Sequence, residues 1–359
     1  MLSLSPGGVE LAGGIQLTVT AAGLLPPTYY DGLTCVFVEL NTTLSEASCV
    51  DFGLSLSALS ARAPRIATTT AVQASDDDQS VTCATPAWTE NATSVVTLSV
   101  DGSSLLPAAT LSCTQLSFSF YDAAQMQTGM SISPSCGPIE GGTTTRVSAP
   151  GLKDLGGLRC RFNSSTTSRL LTSGSLAVAV MSATMATDAA ETLECAAPSA
   201  SQVGTVEISI SLTGDAGPWY TPTYHGNNFV YYNQPTISSV EPTSSSAGIP
   251  TTLTLSGSGF QGGCAASTTP VCRLGTDSSA WETSTNLTIL SDDMASCLSP
   301  VGTGVAEVQL SLNGADFAAS NESVSHTFVG LYSPRLNSAT FSSSGSRLLL
   351  DFGAQATNM

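Results

Sequence analysis

The chain has a single lysine, Lys153, and only 10% of its residues are charged. That charge is one-sided: 10 basic residues against 27 acidic ones, a net −17 at pH 7. Such a surface repels phosphate backbones, so nucleic acid is not an expected partner. Only two histidines are present, His225 and His326. No G-x-S-x-G accompanies them, and they fall in corresponding places along the chain. They therefore read as surface-loop residues rather than as members of a Ser-His-Asp triad. No run of about 18 apolar residues occurs, so no membrane span is expected. No C-x-x-C occurs either, which removes the zinc-knuckle and thioredoxin-type readings. Helical periodicity is almost absent. No catalytic residue, cofactor or metal is expected.

What is present is an apolar, Ser- and Thr-rich chain of 359 residues with 42% hydrophobic residues and ten cysteines. That length allows two to four domains with real cores. An even number of cysteines in a β-rich chain suggests disulfides and an oxidising compartment. Met1 leads straight into LSLSPGGVELAGG, with no signal peptide, and SRLLLDFGAQATNM stops within strand-like sequence. The expectation is a piece of a longer protein.

One unit recurs three times. Each copy opens with a strand, a Ser-Pro or Glu-Pro and a glycine-bearing turn: LSLSPGGVELAGG from Leu2, SISPSCGPIEGG from Ser131 and SSVEPTSSSAG from Ser238. A glycine turn follows: VTAAGL, VSAPGL and LSGSGF. The third version, LTLSGSGFQG, carries Gly257, Gly259 and Gly262 in the G-x-G-x-x-G spacing of a dinucleotide site, with Asp277 twenty residues past the first. The copies argue against that reading. Only Gly23, Gly151 and Gly259 are common to all three, and GCAASTTPVCRLG after the turn leaves no room for a phosphate-binding helix. The shared glycine is expected to take a positive φ in a turn between strands.

Further landmarks keep the same order. Cys35, Cys160 and Cys272 each stand two residues before Phe37, Phe162 or Leu274. Cys83, Cys195 and Cys297 each open a Cys-x-x-Pro, preceded by acidic residues: Asp76 to Asp78, Asp188 and Glu191, Asp292 and Asp293. Strands ending at Gly102, Gly214 and Gly314 carry hairpin signals, and aromatic strands FSFYD, FVYYN and FVGLYS close the copies. About seven short alternating strands per copy predict an all-β chain of β-sandwiches.

The sequence of landmarks resembles the IPT/TIG domain, an immunoglobulin-like module of plexins, Met-type receptors, fibrocystin-like and polycystin-related proteins and, in another branch, Rel-type transcription factors. The resemblance covers about residues 1–333 and implies three tandem sandwiches in an elongated array: 1–123, 124–234 and 235–333. Residues 334–359 begin a further β module, truncated, faintly similar to the start of an egg-jelly-receptor module. Copy three departs from the pattern with AGIP where a Gly-Gly is expected. The resemblance implies the disulfides Cys35–Cys83, Cys160–Cys195 and Cys272–Cys297. Cys113 and Cys136 are close enough along the chain to bridge the first two copies, and Cys49 and Cys264 have no assigned partner; a short Cys264–Cys272 bridge is the competing alternative.

Five N-x-[ST] sequons, at Asn41, Asn91, Asn163, Asn286 and Asn321, fall in expected loops and mark glycosylation candidates. The acidic runs lack D-x-D-x-D spacing and read as turn residues rather than calcium ligands. Trp219, Tyr220 and Tyr224, in one loop of the second copy, are the best candidates for a ligand contact, against the alternative that they and Trp88 cover the end of a sandwich. The expected function is a non-enzymatic extracellular spacer, adhesion or assembly rod. Short linkers such as Tyr232-Asn-Gln-Pro235 limit its flexing. The alternative is a receptor ectodomain that binds protein or carbohydrate through its loops. Expected partners are other extracellular or cell-surface proteins, including further copies of the chain. An Ala-, Ser- and Gly-rich composition with ciliary relatives of the family adds the ciliary surface as a location.

Overall fold

The computed structural model describes residues 2–21, 32–40, 56–61, 63, 65–73, 80–103, 105, 117–164, 178–223, 228–262, 269–275, 281–284, 287–318, 324–330 and 336–352. The fold is all-β, with two short helices, Leu56–Ser60 and Ala123–Thr128, among the described residues.

In the first repeat, strands Leu2–Ser5, Gln16–Ala21 and Ser80–Ala84 are antiparallel neighbours. Opposite them, Gly8–Glu10, Ser117–Tyr121, Ala92–Ser99 and Thr34–Glu39 form the second layer. The long strand Ile66–Gln73 belongs to both: its first five residues pair with Thr34–Glu39 and its last three with Ser80–Ala84. The second repeat reuses this device. Val178–Met185 pairs first with Arg159–Asn163 and then with Thr192–Ala196. In the third repeat the switching strand comes in two pieces, Trp281–Ser284 on one sheet and Thr288–Ile289 on the other.

Period-2 alternation sets which side chains face inward. In Arg159–Asn163, Cys160 and Phe162 are buried while the residues between them are half-exposed. The corresponding strand of the first repeat, Thr34–Glu39, is buried on both faces. Its outer Val36 and Val38 form a second small cluster with Val95 and Leu105, against which Leu56 of the short helix packs. Between the layers, Leu17, Phe37, Phe118 and Phe120 surround Cys35 and Cys83. Cys35–Cys83, Cys160–Cys195 and Cys272–Cys297 are disulfides with Cα–Cα distances of 6.3, 6.3 and 6.5 Å. Each joins the two layers of its own repeat.

The glycine turn needs a left-handed backbone in both copies where it is described, as do the recurring turn glycines Gly102, Gly214 and Gly314. Gly151 and Gly259 have φ of 76° and 78°; Gly23 lies outside the described residues. The acidic residues brace this turn. Glu191 Oε1 accepts from the Gly151 amide at 2.9 Å, and Asp292 Oδ1 accepts from the Gln261 amide at 3.1 Å. Gly257, the first fingerprint position, lies in strand Thr252–Ser258, where a Cβ would collide with the Thr236 carbonyl and the Phe260 ring.

The chain divides into two compact units that do not follow the repeat boundaries. One comprises Met1–Ser133, Thr144–Ser201 and Thr205–Phe229; the other comprises Pro134–Thr143, Gln202–Gly204 and Val230–Met359. The reason is visible in the core of the second unit. Cys136 and Tyr232, which belong to the second repeat by sequence, are buried with Ile237, Leu255, Phe260 and Leu312 of the third.

Candidate functional site: the joints between repeats

Each repeat ends in a parallel pair of short strands whose hydrogen bonds are the same three times. The carbonyls of Tyr121, Tyr232 and Val329 accept from the amides of Leu11, Ile139 and Ala247 at 3.1, 2.9 and 2.7 Å. One step earlier, Gly7, Ser135 and Thr243 accept from Ser119, Val230 and Thr327. Tyr121, Tyr232 and Val329 are therefore equivalent positions at one pole of each repeat.

In the first unit the pole of repeat one is covered by repeat two. The Tyr220 hydroxyl donates to Glu10 Oε1 at 2.7 Å, and the Tyr121 and Tyr220 hydroxyls lie 2.8 Å apart. The two rings meet edge to face with centroids 5.9 Å apart. With Tyr220 donating to Glu10, the Tyr121 hydroxyl supplies the hydrogen for the second bond. Burial, and then the hydrogen bonds to Tyr121 and Glu10, push the Tyr220 phenol pKa far up; burial raises that of Tyr121 as well. Both stay neutral donors throughout the physiological range.

The linker is held too. Asp122 caps the helix Ala123–Thr128 by accepting from the Gln125 amide at 3.0 Å, and Asn91 Oδ1 accepts from the Asp122 amide at 2.6 Å. Gln127 Nε2 donates to the Thr221 carbonyl, and Lys153 Nζ donates to Thr93 Oγ1 at 3.0 Å. Leu155 packs so close to Gly7 and Gly8 that a Cβ at either would collide. Beside this contact lies a cleft of about 400 Å³, lined in part by Leu4, Ile15, Tyr121, Leu155, Thr213 and Pro218.

The second unit contains the corresponding joint. Asn313 Nδ2 donates to the Cys136 carbonyl at 2.8 Å and to Asp316 Oδ2 at 2.7 Å, and Thr143 Oγ1 donates to the same carboxylate oxygen at 2.6 Å. In both joints, the loop that follows a repeat's penultimate strand reaches back to the pole before it.

Several expectations change in this light. Tyr220 is 4% exposed and its hydroxyl is used in the joint, so it is not a free ligand contact. Trp219 is half-buried with the Arg161 guanidinium 4.5 Å from its ring centre, and Tyr224 lies outside the described residues. Arg273 covers Phe317 at 3.7 Å in the third repeat, in the place that follows Cys272 as Arg161 follows Cys160. Trp88 is buried and stacks on Phe120 at 4.4 Å. His326 is not a surface-loop residue. It sits on strand Ser325–Val329 with no exposed surface, its Nε2 2.7 Å from Ser245 Oγ and its Nδ1 2.9 Å from the Pro242 carbonyl. A proton on Nδ1 satisfies the carbonyl and leaves Nε2 to accept from the serine, which makes the ring a strut between adjacent segments. His225 is outside the described residues.

Asn163 is not in a loop: it ends strand Arg159–Asn163 and pairs with Val178 and Glu207. Asn91 is exposed but its amide is engaged at the first joint. Asn41, Asn286 and Asn321 lie outside the described residues, as do Cys49, Cys113 and Cys264. Cys136 is disulfide-bonded. Among the described residues, no group of three metal-ligating side chains forms a metal site, and no helix is long and apolar enough to cross a membrane.

A signal for the joints exists in the sequence, though a weak one: Tyr121 and Tyr232 occupy the same place in the repeat. Nothing local singles out Glu10, Thr143 or Asn313.

Residues 235–328 match the model of the IPT/TIG domain. No curated protein matches the chain. Among solved structures, the chain is similar to the full extracellular region of plexin A4, with 12% identity and a TM-score of 0.32 over 91% of this chain and 34% of that one. It is also similar to the Escherichia coli adhesin FdeC, with 14% identity and a TM-score of 0.24 over 92% and 96% of the two chains. The chain spans about a third of the plexin ectodomain it matches.

Proposed function

The chain contains an IPT/TIG domain at residues 235–328, and from that premise we propose that it is a non-enzymatic extracellular segment that fixes the spacing and orientation of adjoining parts of a cell-surface or secreted protein. The observation that carries this reading is the first joint. Its polar groups are spent on each other rather than presented to a ligand: Tyr220 on Tyr121 and Glu10, Asn91 on the linker, Lys153 on Thr93. A hinge would leave such groups hydrated. Three inter-sheet disulfides suit an oxidising compartment, and the acidic, Ser- and Thr-rich exterior suits life outside the cell. Partners under this reading are other extracellular or cell-surface proteins, further copies of the chain included, and a ciliary surface is one setting that accommodates them. The receptor alternative loses Tyr220, its best-placed aromatic, to the joint.

The test is non-reducing peptide mapping on protein from its native source. The expected result is the pairs Cys35–Cys83, Cys160–Cys195 and Cys272–Cys297, with sugar on some of the sequons. Free thiols and bare asparagines throughout would place the chain inside the cell and end this reading.

A further inference from the structure

The third pole has the frame of the other two but not their cover. Its equivalent of Tyr121 and Tyr232 is Val329, which is 53% exposed, whereas the tyrosines are 4% and 2% exposed. The register extends the equivalence. Thr93 pairs with Ser119 as Val305 pairs with Thr327, and Ser119 and Thr327 hold the same place in the parallel pair. Thr93 receives Lys153 at the first joint; Val305 is exposed. The amides of Gly13, Gly141 and Ile249 make the same turn bond, to the carbonyls of Glu10, Pro138 and Ser246. Ile249, the residue of the AGIP departure, is exposed as well. At these three positions the third repeat places an exposed aliphatic side chain where the first repeat has the joint residues Tyr121 and Thr93 and the glycine Gly13.

Seven residues past Val329 the chain enters a second uncovered apolar surface. Leu336–Phe341 and Leu348–Phe352 form an isolated antiparallel hairpin. The register puts Phe341, Leu348, Ala339 and Leu350 on one face, and Thr340, Leu349, Ser338 and Asp351 on the other. Phe341 is 73% exposed. A lone two-stranded hairpin is marginally stable at best, and one with a bare apolar face needs a layer against it.

We propose that Val329, Val305 and Ile249 form the docking face of a third joint, and that its occupant is a further β module of the same polypeptide opened by the hairpin Leu336–Phe352. Spacing agrees with the two observed joints: the next strand begins ten residues after Tyr121 and four after Tyr232. Size argues against a second copy of the chain as the occupant. Two strands of about six residues, at a spacing of ~4.8 Å and a rise of ~3.3 Å, offer a face of roughly 200 Å². Stable contacts between separate chains bury about 800 Å² per partner. A covalently attached module needs far less, because the linker supplies its effective concentration.

Hydrogen exchange tests this on residues 1–359 alone and on the chain at the length it has in its native source. The hairpin amides should exchange without protection in the former and at least about 100-fold more slowly in the latter. In the native-length chain, Val329→Asp and, separately, Val305→Asp should cut hairpin protection at least about tenfold and leave the amides of Gly304–Ser311 unchanged. Both substituted residues are exposed, so the third repeat still folds. Three outcomes would overturn the proposal: protection already present in monomeric 1–359, protection that appears only with concentration-dependent dimerisation, or none at native length.

Discussion

Tyr220→Phe removes one oxygen and with it the centre of the first joint. That oxygen donates to the Glu10 carboxylate at 2.7 Å and lies 2.8 Å from the Tyr121 hydroxyl. A hydrogen bond to a charged partner is worth about 1.5–3 kcal/mol, and one between neutral groups about 1 kcal/mol. Glu10 is half-exposed and regains water when its partner is lost, so the charged bond counts near its lower limit. The Tyr121 hydroxyl is buried and does not recover as easily. The expected loss is about 2 kcal/mol. In a unit of this size each kcal/mol lowers Tm by roughly 2–4 °C, so the first unit should melt about 4–8 °C lower. Differential scanning calorimetry on the whole chain reads this directly, because the second unit serves as an internal reference whose transition should stay put. Tyr121→Phe should cost less, about 1 kcal/mol, and the double variant should cost less than the sum, since both substitutions break the same bond. Wild-type melting of Tyr220→Phe, or strict additivity in the double variant, would refute the coupling of these hydroxyls.

Raising the pH should weaken both units. Tyr121, Tyr220, Tyr231 and Tyr232 all have phenol pKa values raised, chiefly by burial. A raised folded-state pKa means stability that is complete below the unfolded value near 10 and is lost as pH climbs toward the folded value; denaturant midpoints should be flat to pH 9 and fall beyond 10. Replacing both cysteines of a pair should cost about 4 kcal/mol for Cys35–Cys83, which spans 48 residues, and nearer 3.5 kcal/mol for Cys272–Cys297, which spans 25; urea unfolding gives the ranking, and the reverse order would contradict the loop-entropy account. Gly257→Ala should destabilise the third repeat by about 1–3 kcal/mol through its collision with the Thr236 carbonyl, whereas the same change at exposed Gly345 concerns only a positive φ of 68°. Arg161→Ala should uncover Trp219, red-shift its fluorescence and cost about 0.5–1 kcal/mol.

The local order of this protein is written along its sequence. Alternation along Arg159–Asn163 selects Cys160 and Phe162 for the interior, and the glycine of VSAPGL and LSGSGF announces the positive φ found at Gly151 and Gly259. These features involve a few consecutive residues, and backbone sterics and a two-residue period suffice to settle them. The repeat itself exposed the G-x-G-x-x-G as an accident, because only one of its glycines recurs. The joints are different. Glu10 meets Tyr220 across 210 positions and Tyr121 meets it across 99. His326 looks like a loop residue until the parallel strand pair brings Ser245 and Pro242 to its two nitrogens. The division into compact units departs from the repeats because Cys136 and Tyr232 bury their surface in the third repeat's core rather than their own. Sequence alone determined the recurring strands and glycine turns and the inward-facing residues of alternating strands such as Arg159–Asn163. Only the tertiary structure decided which of the leftover polar and apolar groups close one repeat upon the next, because that choice depends on surfaces that exist only after each sandwich has formed.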